Sequence, residues 1–271
     1  MIDVATENLF AAAQQCLACK DPVRKVALTA AVARALAASG LTLEAPEAVA
    51  PISDPGRPER PLLVAPRQLA GRGLGSNEGR AALVHAVAHI EFNAINLAWD
   101  AVYRFRGMPV EYYHDWTQVA ADEARHFTLL NARLAELGFS YGDFDAHNGL
   151  WQMAVRTADS CLARMALVPR VLEARGLDVT PGMIERLRRV GDHATVSILE
   201  TILGEEVAHV AAGSRWFAWC CAREGVDAQL TFHELLETHY RGALRGPFNV
   251  DARLRAGFSQ AELARLDELA A

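Results

Sequence analysis

The chain has 271 residues, of which 51% are hydrophobic and 22% are charged. This length is sufficient for one large domain with a full core, and this composition excludes a chain that is disordered overall. The net charge of −6 gives no general attraction to nucleic acid or to an anionic membrane surface, so neither is expected as a partner.

The N-terminus and the cysteines indicate a cytoplasmic protein. Residues 1–7 carry acidic side chains rather than the basic start of a secretory signal, and no run of about 18 uncharged apolar residues predicts a membrane span. Five cysteines scattered along the chain favour a reducing compartment over a disulfide framework. Cys16 and Cys19 form a lone Cys-x-x-Cys pair, which we interpret as two half-buried helix residues rather than a zinc or redox site.

The first part of the chain is expected to hold two helices and a connector. Apolar residues at intervals of three and four predict helices within residues 3–39, with a break near Pro22, because proline is tolerated in the first turn of a helix. Residues 40–76 contain six of the 11 prolines, which predicts an extended connector. Residues 76–79, Ser-Asn-Glu-Gly, then have the chemistry of a helix start.

The remaining periodicity predicts an all-α fold centred on a four-helix bundle. The four long helices are expected at residues 77–106, 111–137, 150–175 and 192–224. We expect Gly176 to end the third of them. Thr180 and Pro181 are expected to open a short extra helix, which a break at Gly191 separates from the fourth long helix.

This reading divides the chain into three parts. Residues 1–76 are N-terminal helices and a Pro-rich connector packed on the bundle, residues 77–224 are the bundle, and residues 225–271 are a C-terminal extension. The extension is expected to end in a helix that begins with a capping box formed by Ser259 and Glu262.

The most specific feature is a pattern that occurs twice: a lone glutamate on an apolar helix, followed later by Glu-x-x-His. The two copies are Glu91, Glu123 and His126, and then Glu173, Glu206 and His209. The lone glutamate precedes the next glutamate by 32 residues in the first copy and by 33 in the second. Four helices that each project a carboxylate or an imidazole inward provide the ligands for a buried pair of iron or manganese ions.

Three of the glutamates fall on apolar helix faces. The apolar residues on these faces are Val84, Val87, Ile95, Ala98, Val102 and Phe105 for Glu91; Trp116, Val119, Ala120, Phe127, Leu130 and Leu134 for Glu123; and Leu199, Ile202, Leu203, Val210 and Phe217 for Glu206. A buried carboxylate requires a proton, a cation or a metal, because an isolated buried charge is too costly. We therefore predict metal; a hydrogen-bonded set of buried polar residues without metal is the alternative.

The sixth ligand and the type of metal also follow from the residues. Glu173 has a mixed face beside Pro169, so a solvent-facing position near a helix end is the alternative for it. Carboxylate oxygens with two imidazoles and no thiolate favour iron or manganese over a structural zinc. We expect two iron ions, with a mixed manganese–iron pair as the alternative.

Other titratable residues are not assigned as ligands. His85 and His89 lie four apart but point away from Glu91, and we expect them to make a polar contact with the N-terminal segment. We likewise expect His193 and Glu200 on the last long helix to make polar contacts rather than to bind metal. Three carboxylates could orient the ligand histidines by their position: Asp100, Asp122 and Glu205. We expect them to form surface salt bridges instead.

Around these residues the chain resembles a known family. Residues 89–100, 122–127 and 173–181 resemble the bacterial family called domain of unknown function 455, and the Glu-x-x-His arrangement resembles the ferritin-like di-iron superfamily. The resemblance covers nearly the whole chain. It implies a ferritin-like four-helix bundle with an N-terminal helical extension and a C-terminal helical tail.

The superfamily pattern implies a role for each ligand. Glu123 and Glu206 would bridge or chelate the two metals, and Glu91 and Glu173 would be terminal ligands. Each histidine of the two motifs would bind one ion. The superfamily includes ferroxidation and storage, hydroxylation, desaturation and radical generation, whereas the close family has no assigned reaction.

The expected function is an oxidoreductase that uses O2 on an unidentified small-molecule or nucleoside substrate. The segments outside the bundle support it, since they are suited to wall a substrate pocket, with packing or oligomer contacts as the alternative. Within the bundle, the candidates for an apolar wall of the substrate site are Trp116, Phe127 and Phe217, with a core position as the alternative. The alternatives are an iron-handling ferroxidase or peroxide-removing protein and a non-catalytic, metal-stabilised interaction module. An electron-donor protein and a homodimer are the partners left open, and the acidic balance argues against nucleic acid.

Overall fold

The structure is a computed structural model that describes residues 7–44, 48–240 and 244–270. Over these residues the chain folds into packed α-helices and has no β-strand, which confirms the predicted all-α helical fold. The chain forms two compact units, one up to Val155 and one from Arg156 onward, and each is described by itself. The three-part division drawn from the sequence stays a prediction.

Unit 1 contains the helices α1 Leu9–Ala18, α2 Pro22–Ala37, α3 Asn77–Arg104, α4 Val110–Glu136 and α5 Gly149–Arg156. The predicted break between the first two helices is confirmed. Asp21 caps α2, because its carboxylate accepts a hydrogen bond from the Arg24 N–H at 2.7 Å, and Pro22 occupies the first turn.

Helices α3 and α4 form the centre of unit 1. The predicted start of α3 is confirmed, since the Ser76 hydroxyl accepts a hydrogen bond from the Gly79 N–H at 3.0 Å. A short connection brings the start of α4 back against the end of α3, where the Tyr112 hydroxyl donates to the Ala101 carbonyl at 3.3 Å. By length and composition α3 is the one helix of the described residues that could cross a membrane, but 78% of its apolar window is buried within the protein.

The connector between α2 and α3 follows the surface of unit 1 without an α-helix in its described part, as predicted. A short 3-10 turn at Pro66–Gln68 is its regular element. The connector is held at several points: the Val64 N–H donates to the Ala146 carbonyl at 2.8 Å, and the indole of Trp151 donates to the Ser53 carbonyl at 2.8 Å.

Unit 2 contains α6 Cys161–Leu167, a π-helical segment Val168–Glu173, α7 Ala174–Arg189, α8 His193–Glu224, α9 Ala228–Tyr240, α10 Val250–Arg255 and α11 Gln260–Ala270. The predicted capping box of the last helix is confirmed. The Ser259 N–H donates to the Glu262 carboxylate at 2.8 Å, and the Glu262 N–H donates to the Ser259 hydroxyl at 3.1 Å.

The prediction of one helix at residues 150–175 is wrong in two ways. The chain is not helical between α5 and α6, and helical structure does not end at Gly176 but continues through it to Arg189. Pro181 lies inside α7 instead of opening a helix. Proline has no N–H for the carbonyl of Leu177 four residues earlier, but the side-chain amide of Asn249 donates to that carbonyl at 3.0 Å. A distant residue therefore supplies the missing hydrogen bond.

The π-helical segment packs closely against α8. A Cβ atom on Gly213 of α8 would lie closer than 3.0 Å to the ring of Pro169, so only glycine allows this approach. The predicted break before α8 is confirmed, with Gly191 at φ +74° and the Asp192 carboxylate accepting from the Thr195 N–H at 3.1 Å. These contacts fix the segment that carries Glu173.

Candidate metal centre

The first copy of the repeated motif forms a compact triad in unit 1. Nδ1 of His126 lies 3.2 Å from Oε2 of Glu91 and 3.5 Å from Oε2 of Glu123. One ligand atom from each residue lies within 4.8 Å of the other two. The exposed fractions of Glu91, Glu123 and His126 are 5%, 1% and 0%, so the triad is closed to solvent.

The helix periodicity explains why this triad is buried. Every residue predicted on the apolar faces of Glu91 and Glu123 is buried in the structure. Because α3 and α4 pack along each other through these faces, their polar side chains are carried into the core with them. The predicted burial of these two helix faces is therefore confirmed, and the role of Glu91, Glu123 and His126 as metal ligands stays a prediction.

Burial and mutual contact shift the pKa values of the triad. Burial raises the pKa of Glu91 well above its ordinary value, and the neighbouring charge of Glu123 raises it further. Burial alone would lower the pKa of His126, but its hydrogen bonds to Glu123 and Glu91 outweigh this effect and raise the pKa to about 10. In the absence of a metal, a protonated His126 therefore lies between the two carboxylates.

The second copy of the motif lies in unit 2. Nδ1 of His209 is 3.3 Å from Oε2 of Glu206 on the same face of α8, and both side chains are buried. Glu173 ends the π-helical segment and is 7% exposed, which excludes the solvent-facing alternative. Gly176, one turn later, lies against Glu206, since a Cβ atom there would meet the Cγ of Glu206 at 3.9 Å.

The π-helical segment sets the direction of Glu173. One extra residue in a helical turn rotates every later residue by about 100° round the helix axis, relative to a continuous α-helix. Regular helical spacing across 150–175 therefore could not place Glu173 correctly. The signal in the sequence was Pro169, which lies within this segment and disturbs the regular hydrogen-bond ladder.

The histidines of α3 outside the triad contact a different segment from the one predicted. Nε2 of His85 accepts a hydrogen bond from the Gly142 N–H at 2.9 Å, and Nδ1 of His89 lies 2.9 Å from the Tyr141 hydroxyl. Both partners belong to the loop after α4, so the expected contact with the N-terminal segment was wrong. Burial lowers the pKa of both histidines to about 4, which keeps them neutral near neutral pH.

The remaining polar candidates have ordinary structural positions. His193 is exposed, and Glu200 forms an ion pair with Arg188. Asp122 pairs with Arg125 at 3.1 Å at the surface, as expected. Asp100 was expected at the surface but is fully buried and pairs with Arg104, whose Nη2 lies 2.7 Å from its Oδ1.

The predicted pocket aromatics and Cys16 are also packed inside the protein, and Cys19 is half-buried as predicted. Trp116, Phe127 and Phe217 are each 2% exposed, and Phe127 packs on Phe92 with 5.4 Å between ring centroids. The Cys16 thiol is fully buried, whereas a half-buried position was predicted. This burial raises the pKa of the thiol to about 12, so Cys16 is not a thiolate near neutral pH.

Sequence reasoning missed a buried cation in unit 1. Lys25 on α2 is fully buried and donates to the side-chain oxygen of Asn96 on α3 and to the Leu17 carbonyl. Burial lowers its pKa to about 8. No local signal marks this position, because the partners come from helices distant in sequence. Lys25 therefore joins α1, α2 and α3 rather than binding an external group.

Comparison with known proteins identifies relatives without a described activity. A family model described as Protein of unknown function (DUF455) matches residues 18–264. A relative from Haemophilus influenzae, described as an uncharacterized protein, is 48% identical over 213 residues, which are 76% of this chain and 74% of the relative. No solved structure matches the chain. The resemblance to the family called domain of unknown function 455 is thereby confirmed.

Proposed function

The chain belongs to the DUF455 family, a family of unknown function, and from this premise we propose that it is an O2-dependent di-iron carboxylate oxidoreductase. The observation that carries the proposal is the buried triad of Glu91, Glu123 and His126, with ligand atoms within 4.8 Å of one another. A mixed manganese–iron pair is the alternative cofactor, since both metals bind carboxylate oxygen and imidazole.

A metal ion accounts for this triad better than a purely hydrogen-bonded network. Two carboxylates converge in an apolar interior, where uncompensated negative charge is costly. Without a cation, the triad neutralises this charge only by binding protons, on His126 and on Glu91, whose pKa values are both raised. A divalent cation supplies two positive charges and leaves His126 neutral, which is the form of imidazole that binds metals.

We extend the proposal to the second copy of the motif, so that the proposed ligands of two metal ions are Glu91, Glu123, His126, Glu173, Glu206 and His209. Two facts support this grouping: the repeat of the motif with nearly equal spacing, and the burial of all six side chains. In each copy the lone glutamate would be a terminal ligand, the second glutamate would bridge or chelate the metals, and the histidine would bind one ion. The ferritin-like four-helix fold that such a centre requires belongs to the same proposal.

The residues around the triad determine what chemistry is possible there. A reduced iron pair supplies electrons and open coordination positions for O2 when it is bound. Glu91 and Glu123 balance the positive charge, and the apolar faces of α3 and α4 exclude water from that side. We propose an unidentified small molecule or nucleoside as substrate, with an electron-donor protein as a partner left open and the cytoplasm as compartment.

Metal content tests this proposal. The protein is loaded anaerobically with Fe(II), desalted and analysed by mass spectrometry, with Glu123→Ala beside Glu111→Ala as the control. Glu111 lies in the first turn of the same helix, and its side chain is exposed. We expect about two iron ions per chain in the wild type and in the control, and clearly fewer in Glu123→Ala. Wild-type protein without bound iron would overturn the metal centre.

Oxygen consumption then separates the functions that share such a centre. Sustained consumption of O2 with a chemical reductant, at two irons per chain, supports the oxidoreductase. Uptake of many irons per chain would indicate iron handling instead. Metal-dependent stability without any O2 consumption would indicate that the ions only hold the helices together.

A further inference from the structure

Unit 2 contains a cavity of about 220 Å³ with a strongly basic lining. The lining residues that bear on recognition are Arg170, Arg175, Arg245, Arg253, Tyr240 and Phe248. Among the described lining residues, none is acidic and none is a proposed metal ligand. The metal centre therefore does not account for this concentration of arginine.

Two carboxylates outside the cavity lining hold its arginines in place. Nη2 of Arg170 donates to Oε1 of Glu262 at 2.7 Å. Arg253 donates to both oxygens of Asp178, from Nε at 2.9 Å and from Nη2 at 2.8 Å, and Arg175 also lies 3.5 Å from Asp178. These three arginines share two carboxylates, so the lining keeps an excess of positive charge.

The two most buried arginines of the cavity lining each retain an unused donor. Arg170 and Arg253 are both 2% exposed. In each, the buried Nη1 has no hydrogen-bond partner among the residues that the structure describes. A guanidinium group has five N–H donors, and leaving a buried charged donor unpaired is costly unless a ligand supplies the acceptor. Both side chains therefore lack an acceptor of the kind that an anion provides.

Aromatic rings fix the orientation of Arg170. Its guanidinium carbon lies 4.2 to 4.8 Å from the ring centroids of Phe217, Phe232 and Phe258, and its Nε donates to the Ser214 hydroxyl at 3.2 Å. A side chain held on several sides in this way loses little further entropy when it binds a ligand. Arg170 is therefore preorganised, and Arg253 is likewise held by its two hydrogen bonds to Asp178, whereas Arg175 and Arg245 are more exposed.

The geometry points to a binding site for a small phosphate monoester in this cavity. Guanidinium groups match the oxygens of phosphate with paired hydrogen bonds, and a phosphate monoester carries close to two negative charges near neutral pH. Tyr240 and Phe248 provide ring faces for an apolar or aromatic body attached to the phosphate. This site is independent of the proposed oxidoreductase function.

A purely structural role for the arginines is the competing explanation, because Arg170 and Arg253 also join helices of unit 2 through Glu262 and Asp178. The test therefore uses the two less buried lining arginines, Arg175 and Arg245, whose replacement leaves those ion pairs intact. The variants are Arg175→Gln and Arg245→Gln. The control is Arg186→Gln, an exposed arginine of α7 outside the lining.

Isothermal titration calorimetry of the full chain measures binding of phenyl phosphate and of inorganic phosphate. We expect one phenyl phosphate per chain, with a dissociation constant raised about tenfold or more in each cavity variant and unchanged in the control. Tighter binding of phenyl phosphate than of inorganic phosphate supports an organic monoester, and equal binding supports the free ion through the same phosphate contacts. No binding of either probe at millimolar concentration, or equal binding by the variants, would overturn the site.

Discussion

Two glycines on α8 give a direct test of the packing that fixes the Glu173 segment. Gly213 and Gly204 lie on the same helix, but a Cβ on Gly213 would be closer than 3.0 Å to the Pro169 ring, whereas a Cβ on Gly204 meets nothing within 4 Å. Replacing glycine by alanine within a helix stabilises it by about 1 kcal/mol in the absence of steric conflict. We therefore expect Gly204→Ala to raise the free energy of unfolding by about that amount.

The Gly213→Ala variant is expected to be less stable than the wild type. Carbon atoms normally approach to about 3.5–4.0 Å, so the Pro169 ring or α8 must move by at least about 0.5 Å. Overpacking of this kind costs about 1–3 kcal/mol, which offsets or exceeds the helix-propensity gain. Relative to Gly204→Ala, the free energy of unfolding should be lower by about 1–3 kcal/mol.

Urea unfolding of the two metal-free variants, followed by circular dichroism, measures this difference. Iron content should also fall in Gly213→Ala and stay unchanged in Gly204→Ala, because the displaced segment carries Glu173. Equal stabilisation by both substitutions would refute the close contact between Pro169 and α8.

Two further predictions concern stability. His85 has a pKa of about 4 in the folded protein against an ordinary value of 6.5, so the unfolded chain binds the extra proton first. The contribution of neutral His85 to the free energy of unfolding is fully present above pH 6.5. It is lost as the pH falls toward 4, by at most about 3 kcal/mol. Burial is the larger cause of the lowered pKa, and the charges of Asp143 and Asp145 partly oppose it by raising the pKa of His85. In His85→Gln, acid unfolding should depend less steeply on pH in this window; an unchanged slope would contradict the assignment. Asn249→Ala should lower the free energy of unfolding by about 1–3 kcal/mol, and less in a Pro181→Ala background, because the alanine introduced there has a backbone N–H that restores the helical hydrogen bond. Equal losses in both backgrounds, in a double-mutant cycle, would refute the role of Asn249.

Local signals were sufficient where a helix is both capped and periodic. The sequence placed α8 at residues 192–224, and the structure has His193–Glu224, since Asp192 caps its start and Gly225, at φ +71°, ends it. The triad of α3 and α4 was predicted for a related reason. Its ligands lie on faces whose apolar spacing determines which side of each helix enters the core.

Local signals failed where a distant residue overrides them. Pro181 and Gly176 are ordinary helix breakers, but Asn249 supplies the missing donor to Leu177, and the helix continues. The π-helical segment before α7 is likewise set by packing against Gly213 of α8. Such contacts join residues far apart in sequence, and no spacing rule within one helix reveals them.

The arginine cavity, too, could not be predicted from local sequence signals. Its arginines come from the π-helical segment, from α7, from α10 and from the chain before α10, and each one alone has the spacing of an ordinary surface residue. The residues of the proposed metal centre could be predicted because they repeat along the chain, whereas the proposed phosphate site is assembled only by the fold of unit 2.

Anomalous diffraction from crystals loaded with Fe(II) under anaerobic conditions tests the central claim most directly. Data on both sides of the iron absorption edge locate the metal independently of any model of the protein. We predict iron peaks within bonding distance of carboxylate oxygens of Glu91 and Glu123 and of Nδ1 of His126. Crystals that contain iron but show no anomalous peak at this triad would contradict the proposed metal centre.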